Sequence, residues 1–168
     1  MKKNKNGIKK ILMIGAIGTE GWQEDLEATP TECSVVAQRL DIPQVLSLKA
    51  HVHVAFQDDL IRVSGHLIAE LARQCVVSLD IFPEHLDSDF EAFFAENLSV
   101  TAKETEMKEA VEPLDRGRLD FLDILTEQVG LLMNPFPHKP GVTGDYIEFS
   151  ETKGQRPFSN LKNILKKD

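Results

Sequence analysis

Two runs of alternating side chains, joined by a pair of aspartates, restrict this chain more than any other feature. From Leu48 to Phe56, the residues Ala50, Val52, Val54 and Phe56 fall on one face, and Lys49, His51, His53 and Ala55 on the other. Such alternation marks a half-buried strand, because successive side chains leave a strand on opposite sides. Ile61, Val63, Gly65, Leu67, Ala69 and Leu71 then alternate with Arg62, Ser64, His66 and Glu70. Between the runs, Asp58-Asp59 is a turn signal. A two-residue loop there pairs Gln57 with Leu60, and so Phe56 with Ile61, Val54 with Val63 and His51 with His66. Every apolar residue then shares one face, whereas a slip of one residue would turn the polar set inward.

The flanking segments extend this hairpin. Cys75 to Phe82 reads as a third sheet segment closed by Pro83, and Phe90 to Phe94 alternates as a return strand. Together they make a meander of about four antiparallel strands. Upstream, Ile8 to Ile17 reads as a first strand weakened by two glycines, and residues 18–28 as an acidic turn region. Thr29-Pro30-Thr31-Glu32 opens a helix with Thr29 as N-cap and Pro30 in the first helical position. Val35, Val36, Leu40 and Ile42 are its apolar side, and Asp41-Ile42-Pro43 ends it. Later, Asp120 caps a helix with Leu122, Leu125, Val129 and Leu132 facing inward, stopped by Asn134-Pro135-Phe136-Pro137. Residues 157–167 have Phe158, Leu161 and Leu165 on one side of a short basic helix.

The expected architecture is therefore α+β: a central antiparallel meander sheet with an N-terminal helix, a helix near 120–133 and a short C-terminal helix. One domain spans residues 1–168. It has a flexible acidic connection at 96–118 and loose ends at 1–8 and 140–168. Hydrophobic residues at 42% and charged residues at 27% suit an ordinary globular chain. Lys9-Lys10 before the apolar run 11–18 resembles the start of a signal peptide. Thr19-Glu20-Gly21-Trp22 offers no small-residue cleavage site, so a strand is expected there. Cys33 and Cys75 form no C-x-x-C, which fits a reducing compartment, and a cytoplasmic protein is expected.

Charge is unevenly distributed. The net is −8, yet residues 1–12 carry +5, residues 153–168 carry +4 and the body between them −17. An acidic body repels phosphate and excludes general nucleic-acid binding, while the basic ends could touch RNA and the body could attract a basic protein. Candidate phosphate contacts are Lys2, Lys3, Lys162, Lys166 and Lys167, with Phe158 and Leu161 as apolar anchors.

Catalytic patterns are sparse. There is no G-x-S-x-G, no H-E-x-x-H and no phosphate-binding glycine loop. His51, His53 and His66 share the polar face of the hairpin and could hold zinc or nickel. No acidic or cysteine ligand is obviously placed to complete a shell, so solvent-facing histidines are expected, with no metal and no cofactor. Cys75 needs a histidine base to act as a nucleophile, and in an apolar strand it is expected to be a buried inert thiol. A small metal- or thiol-dependent enzyme using these histidines or Cys75 is the alternative reading.

Several stretches resemble the bacterial YceD family. They are Val63-Ser64-Gly65-His66-Leu67-Ile68-Ala69-Glu70 with Cys75-Val76-Val77-Ser78-Leu79, and Leu119-Asp120-Phe121-Leu122 running into Glu127-Gln128-Val129-Gly130-Leu131. Asn134-Pro135-Phe136-Pro137, the closing Arg156-Pro157-Phe158-Ser159-Asn160-Leu161 and the earlier Leu26-Glu27-Ala28-Thr29-Pro30-Thr31-Glu32 add to the pattern. The family is named for accumulation of large-subunit ribosomal RNA. The resemblance implies a cytoplasmic, non-enzymatic role in large ribosomal subunit biogenesis, acting on rRNA, pre-rRNA or a basic ribosomal protein, with no membrane and no small-molecule substrate. This chain departs from the pattern at Ser78, where many members carry the second cysteine of a C-x-x-C, and it lacks a late cysteine cluster.

Overall fold

The central hairpin forms in the expected register. In the computed structural model, which describes residues 7–96 and 111–142, β3 (Gln44–Gln57) and β4 (Leu60–Gln74) pair Gln57 with Leu60, Phe56 with Ile61, Val54 with Val63 and His51 with His66. Asp58, first in the two-residue turn, takes the left-handed conformation at φ 55°, which Asp tolerates better than most residues. Ala50, Val52, Val54, Ile61, Val63, Leu67, Ala69 and Leu71 are buried on one face. Phe56 is an exception at 55% exposure, because it overhangs the core at the hairpin tip.

Two short antiparallel strands and a 3-10 turn precede and close the domain. β1 (Ile11–Met13) pairs with β7 (Arg118–Asp120), and a 3-10 turn follows β1 at Ile14–Ala16. The single strand expected over Ile8–Ile17 is therefore only three residues long, although Ile8 itself is fully buried. The region expected to be a turn at 18–28 contains β2 (Trp22–Glu27), which pairs with Lys49–Val54 of β3. Its sequence looks polar because one face is solvated and the other shelters Glu24 with Lys10. Trp22 stacks on Phe121 with ring centroids 5.1 Å apart, and Lys10 Nζ lies over its ring.

β5 (Ile81–Ala95) runs antiparallel to β4 over its whole length, and β6 (Val111–Pro113) adds to β5 in parallel at the far end. The sheet order is β2-β3-β4-β5-β6. The expected strand over Cys75–Phe82 is corrected. Residues 75–80 are the connection from β4 to β5, and Pro83 lies within β5 opposite Ala72. Pro83 is tolerated because, among the described residues, β5 is an edge there: β6 reaches only Phe93–Ala95, so no described neighbour requires the missing N–H.

Gly65 is required by close approach. A Cβ at this position would lie 2.0 Å from the His51 carbonyl oxygen and 3.1 Å from the Phe90 ring.

Helix α1 (Pro30–Arg39) starts at Thr29 with a full capping box. Glu32 is buried, and its carboxylate accepts from the Thr29 N–H at 2.7 Å and from the Lys9 N–H at 2.5 Å, tying the N-terminal segment to the helix. Helix α2 (Phe121–Leu132) is capped by the Asp120 side chain, which accepts from the Leu122 N–H at 3.0 Å. Both helices lie on one face of the sheet, α1 against β3 and α2 against β5, with Arg39 and Asp123 bridging them. The core between includes Val36, Val52, Leu67, Phe121, Leu125 and Val129. The fold is α+β. The C-terminal helix at 157–167, the tail lysines and most of the acidic connection at 96–118 lie outside the described residues.

Candidate functional site

With both helices on one side, the opposite face of β2–β5 carries mostly exposed or half-buried side chains among the described residues, apart from a small buried cluster of Leu60, Phe93 and Ala95 at the hairpin end. Residues directly opposed in register share a face. This places Asp25 and Glu27 (β2), Lys49, His51 and His53 (β3), Arg62, His66 and Glu70 (β4), and His85, Asp87, Asp89 and Glu91 (β5) together. Named in this way, the face carries six carboxylates against one lysine, one arginine and four histidines.

The histidines are held by the acids. His51 Nδ1 lies 2.7 Å from Asp25, and His85 Nδ1 lies 2.6 Å from Glu70. His66 uses both ring nitrogens, with Nδ1 2.8 Å from Asp89 and Nε2 3.0 Å from Asp87. Ionised carboxylates only accept, so two such partners favour the doubly protonated ring. The Asp89 hydrogen bond is the main cause that raises the His66 pKa, helped by the charge of Asp87. A ring with both nitrogens donating has no lone pair for a metal. Among the described residues, no group of three or more His, Cys, Asp or Glu is arranged to hold a metal ion. Sequence reasoning found His51, His53 and His66 but missed Asp25, Asp87, Asp89 and His85. Alternation along a fully drawn β5 was the signal that could have placed the last three.

Cys75 is brought to a different place. It sits fully buried at the start of the β4–β5 connection, not in a strand. The Lys139 N–H is the largest influence lowering its pKa to about 6, followed by the Ser78 hydroxyl and N–H. Ser78 N lies 3.4 Å from the sulfur. The thiolate is thus favoured by backbone donors inside a covered loop. That loop is latched to the chain after α2: Val76 N–H donates to Pro137 O at 3.0 Å and Lys139 Nζ bonds Asp80 at 3.0 Å. Arg73 reinforces the latch. It bonds Glu84 at 2.6 Å and the Asn134 carbonyl at 2.9 Å, and Glu84 in turn accepts from the Asn134 N–H at 3.2 Å.

A groove of about 660 Å³ opens between α1 and the start of β3, lined by Pro30, Cys33, Ala37, Ile42, Val45 and Leu48 among others. Burial raises the Cys33 pKa, with the Glu32 charge adding to it, which keeps the thiol protonated.

Lys2, Lys3, Phe158, Leu161, Lys162, Lys166 and Lys167 all lie outside the described residues. Among the described residues, no helix is long and apolar enough to cross a membrane. Comparison with family models, with curated proteins and with solved structures gives no match.

Proposed function

We propose that this chain is a non-enzymatic, cytoplasmic factor in large ribosomal subunit biogenesis, a YceD-like protein that acts by binding a basic ribosomal protein or large-subunit rRNA. The observation that carries the reading is spatial. Two stretches that resemble the family, distant in sequence, are bonded in the fold: Val76 holds Pro137, and the neighbouring Arg73 on β4 holds Asn134. Two of the resembling stretches, residues 75–79 and 134–137, thus pack at one junction, which supports the reading.

The charge layout supports binding as the mode of action. A broad sheet face rich in carboxylates suits a cationic protein surface, whose approach it would speed and orient. The lysines at 2, 3, 162, 166 and 167 suit phosphate. The sheet face favours the protein partner as the main contact, with rRNA touched by the ends.

Tagged full-length protein recovered from its own cells, with and without RNase, tests this. RNase-resistant recovery of a basic large-subunit protein supports the sheet face as the working surface. Recovery of large-subunit rRNA that RNase abolishes supports the tails instead. Recovery of neither refutes the reading.

A further inference from the structure

We propose that the chain's own segment 158–165 docks, through Phe158, Leu161 and Leu165, on an apolar knob formed by Val76, Val77, Leu79, Ile81 and Phe136. The knob is the β4–β5 connection together with the segment bonded to it. All five side chains are exposed, Leu79 at 66% and Phe136 at 68%. Large apolar groups gathered in this way on one surface mark a contact site, whereas single ones do not.

The backbone carries a second sign. Leu79 has φ 61°, the left-handed region that bulky side chains avoid. Its conformation is held by its N–H bond to Cys75 O at 3.0 Å and by Gln74 Nε2 bonding its carbonyl at 3.1 Å. The loop thus holds a leucine outward in a conformation that asparagine or glycine would adopt more easily. A partner for that side chain accounts for it.

Three observations select the occupant. The first is position. Lys139 bonds Asp80 and Pro137 accepts from Val76, so the described chain reaches Val142 beside the knob and continues from there. The second is reach. Phe158 follows Val142 by sixteen positions, and a flexible chain of that length would span roughly 20–24 Å. Tethering of this kind gives an effective concentration in the millimolar range, so a modest apolar contact suffices. The third is charge. Residues 153–168 carry +4, and Glu70, Glu84 and Asp87 lie at the same end of β4 and β5 as the knob. Phe158, Leu161 and Leu165 recur at one-face spacing, so they can reach the knob together while Lys162 and Lys166 flank it.

The proposal stands apart from the ribosomal reading and is tested on the purified full-length protein alone. Methyl-labelled protein is compared with the double variant Phe158→Asp/Leu161→Asp and with Leu79→Asn, whose new side chain suits the left-handed backbone. Contacts between the Phe158 ring and the Val77 and Leu79 methyls are expected in the parent protein. They should disappear in both variants, and the Val76, Val77 and Ile81 methyls should shift while Val52, Leu67 and Leu125 stay in place. Knob methyls unmoved by Phe158→Asp/Leu161→Asp would overturn the proposal. So would contacts seen only between differently labelled copies in a mixed sample, which would make a second copy the occupant.

Discussion

His51 and His66 stand directly opposite each other across β3 and β4, and each turns Nδ1 to a carboxylate on the next strand out, Asp25 on β2 and Asp89 on β5. Side chains on this face thereby tie β2 to β3 and β4 to β5, in addition to the backbone ladders. The raised His66 pKa sets a direction. A group held charged in the folded state stabilises it fully below its unfolded value near 6.5, and the benefit is lost as pH rises through the higher folded value. Proton NMR of the imidazole should give a midpoint above 6.5, and Asp89→Asn should lower it. A midpoint unchanged by that substitution would contradict the pairing.

The capping box makes a separate prediction about acid. Burial pushes the Glu32 carboxyl up, but the Thr29 and Lys9 N–H donors outweigh it, and the net pKa is lowered. Its contribution is therefore present above the ordinary carboxylate range and lost as pH falls through the folded value. Glu32→Ala leaves those donors without their acceptor and should cost about 1–3 kcal/mol at neutral pH by urea unfolding. The deficit relative to the parent should shrink at low pH. A constant deficit would mean that charge is not involved.

Cys75 should titrate near 6, which absorbance of the thiolate in the far ultraviolet would report. Folded-state thiolate stabilisation is present above the unfolded thiol pKa and lost as pH falls through about 6. Ser78→Ala removes the hydroxyl donor but keeps the backbone ones, so the midpoint should rise without reaching that of a free thiol. An unshifted midpoint would remove Ser78 from the account.

Two substitutions probe the frame. Arg73→Ala leaves Glu84 half-paired under the 134–137 segment and should cost about 3 kcal/mol. Gly65→Ala forces a methyl onto the His51 carbonyl and should cost at least about 2 kcal/mol. Calorimetry that finds either variant as stable as the parent would contradict the corresponding contact.

The legible parts of this fold were those where burial enforces a pattern. The β3–β4 register, the Thr29 and Asp120 caps and the α2 face all follow from local chemistry. β2 was hidden because Trp22, Glu24 and Leu26 mix apolar and charged groups on the inward side, with Lys10 compensating Glu24. β5 was cut short because Pro83 reads as a breaker until its edge position is known. The site suffered in turn. Without β5 drawn from Ile81, the acids at 87 and 89 have no register and cannot be set beside His66. The donors around Cys75 were invisible for another reason, since Lys139 reaches it only through tertiary folding.

The proposed role in large ribosomal subunit biogenesis is tested most directly by the ratio of large- to small-subunit rRNA after the gene is deleted. The expected result is a fall in that ratio, restored by the parent protein and by the Cys75→Ala variant alike. An unchanged ratio with a normal subunit profile would contradict the assignment, and rescue that fails only with Cys75→Ala would point to thiol chemistry instead.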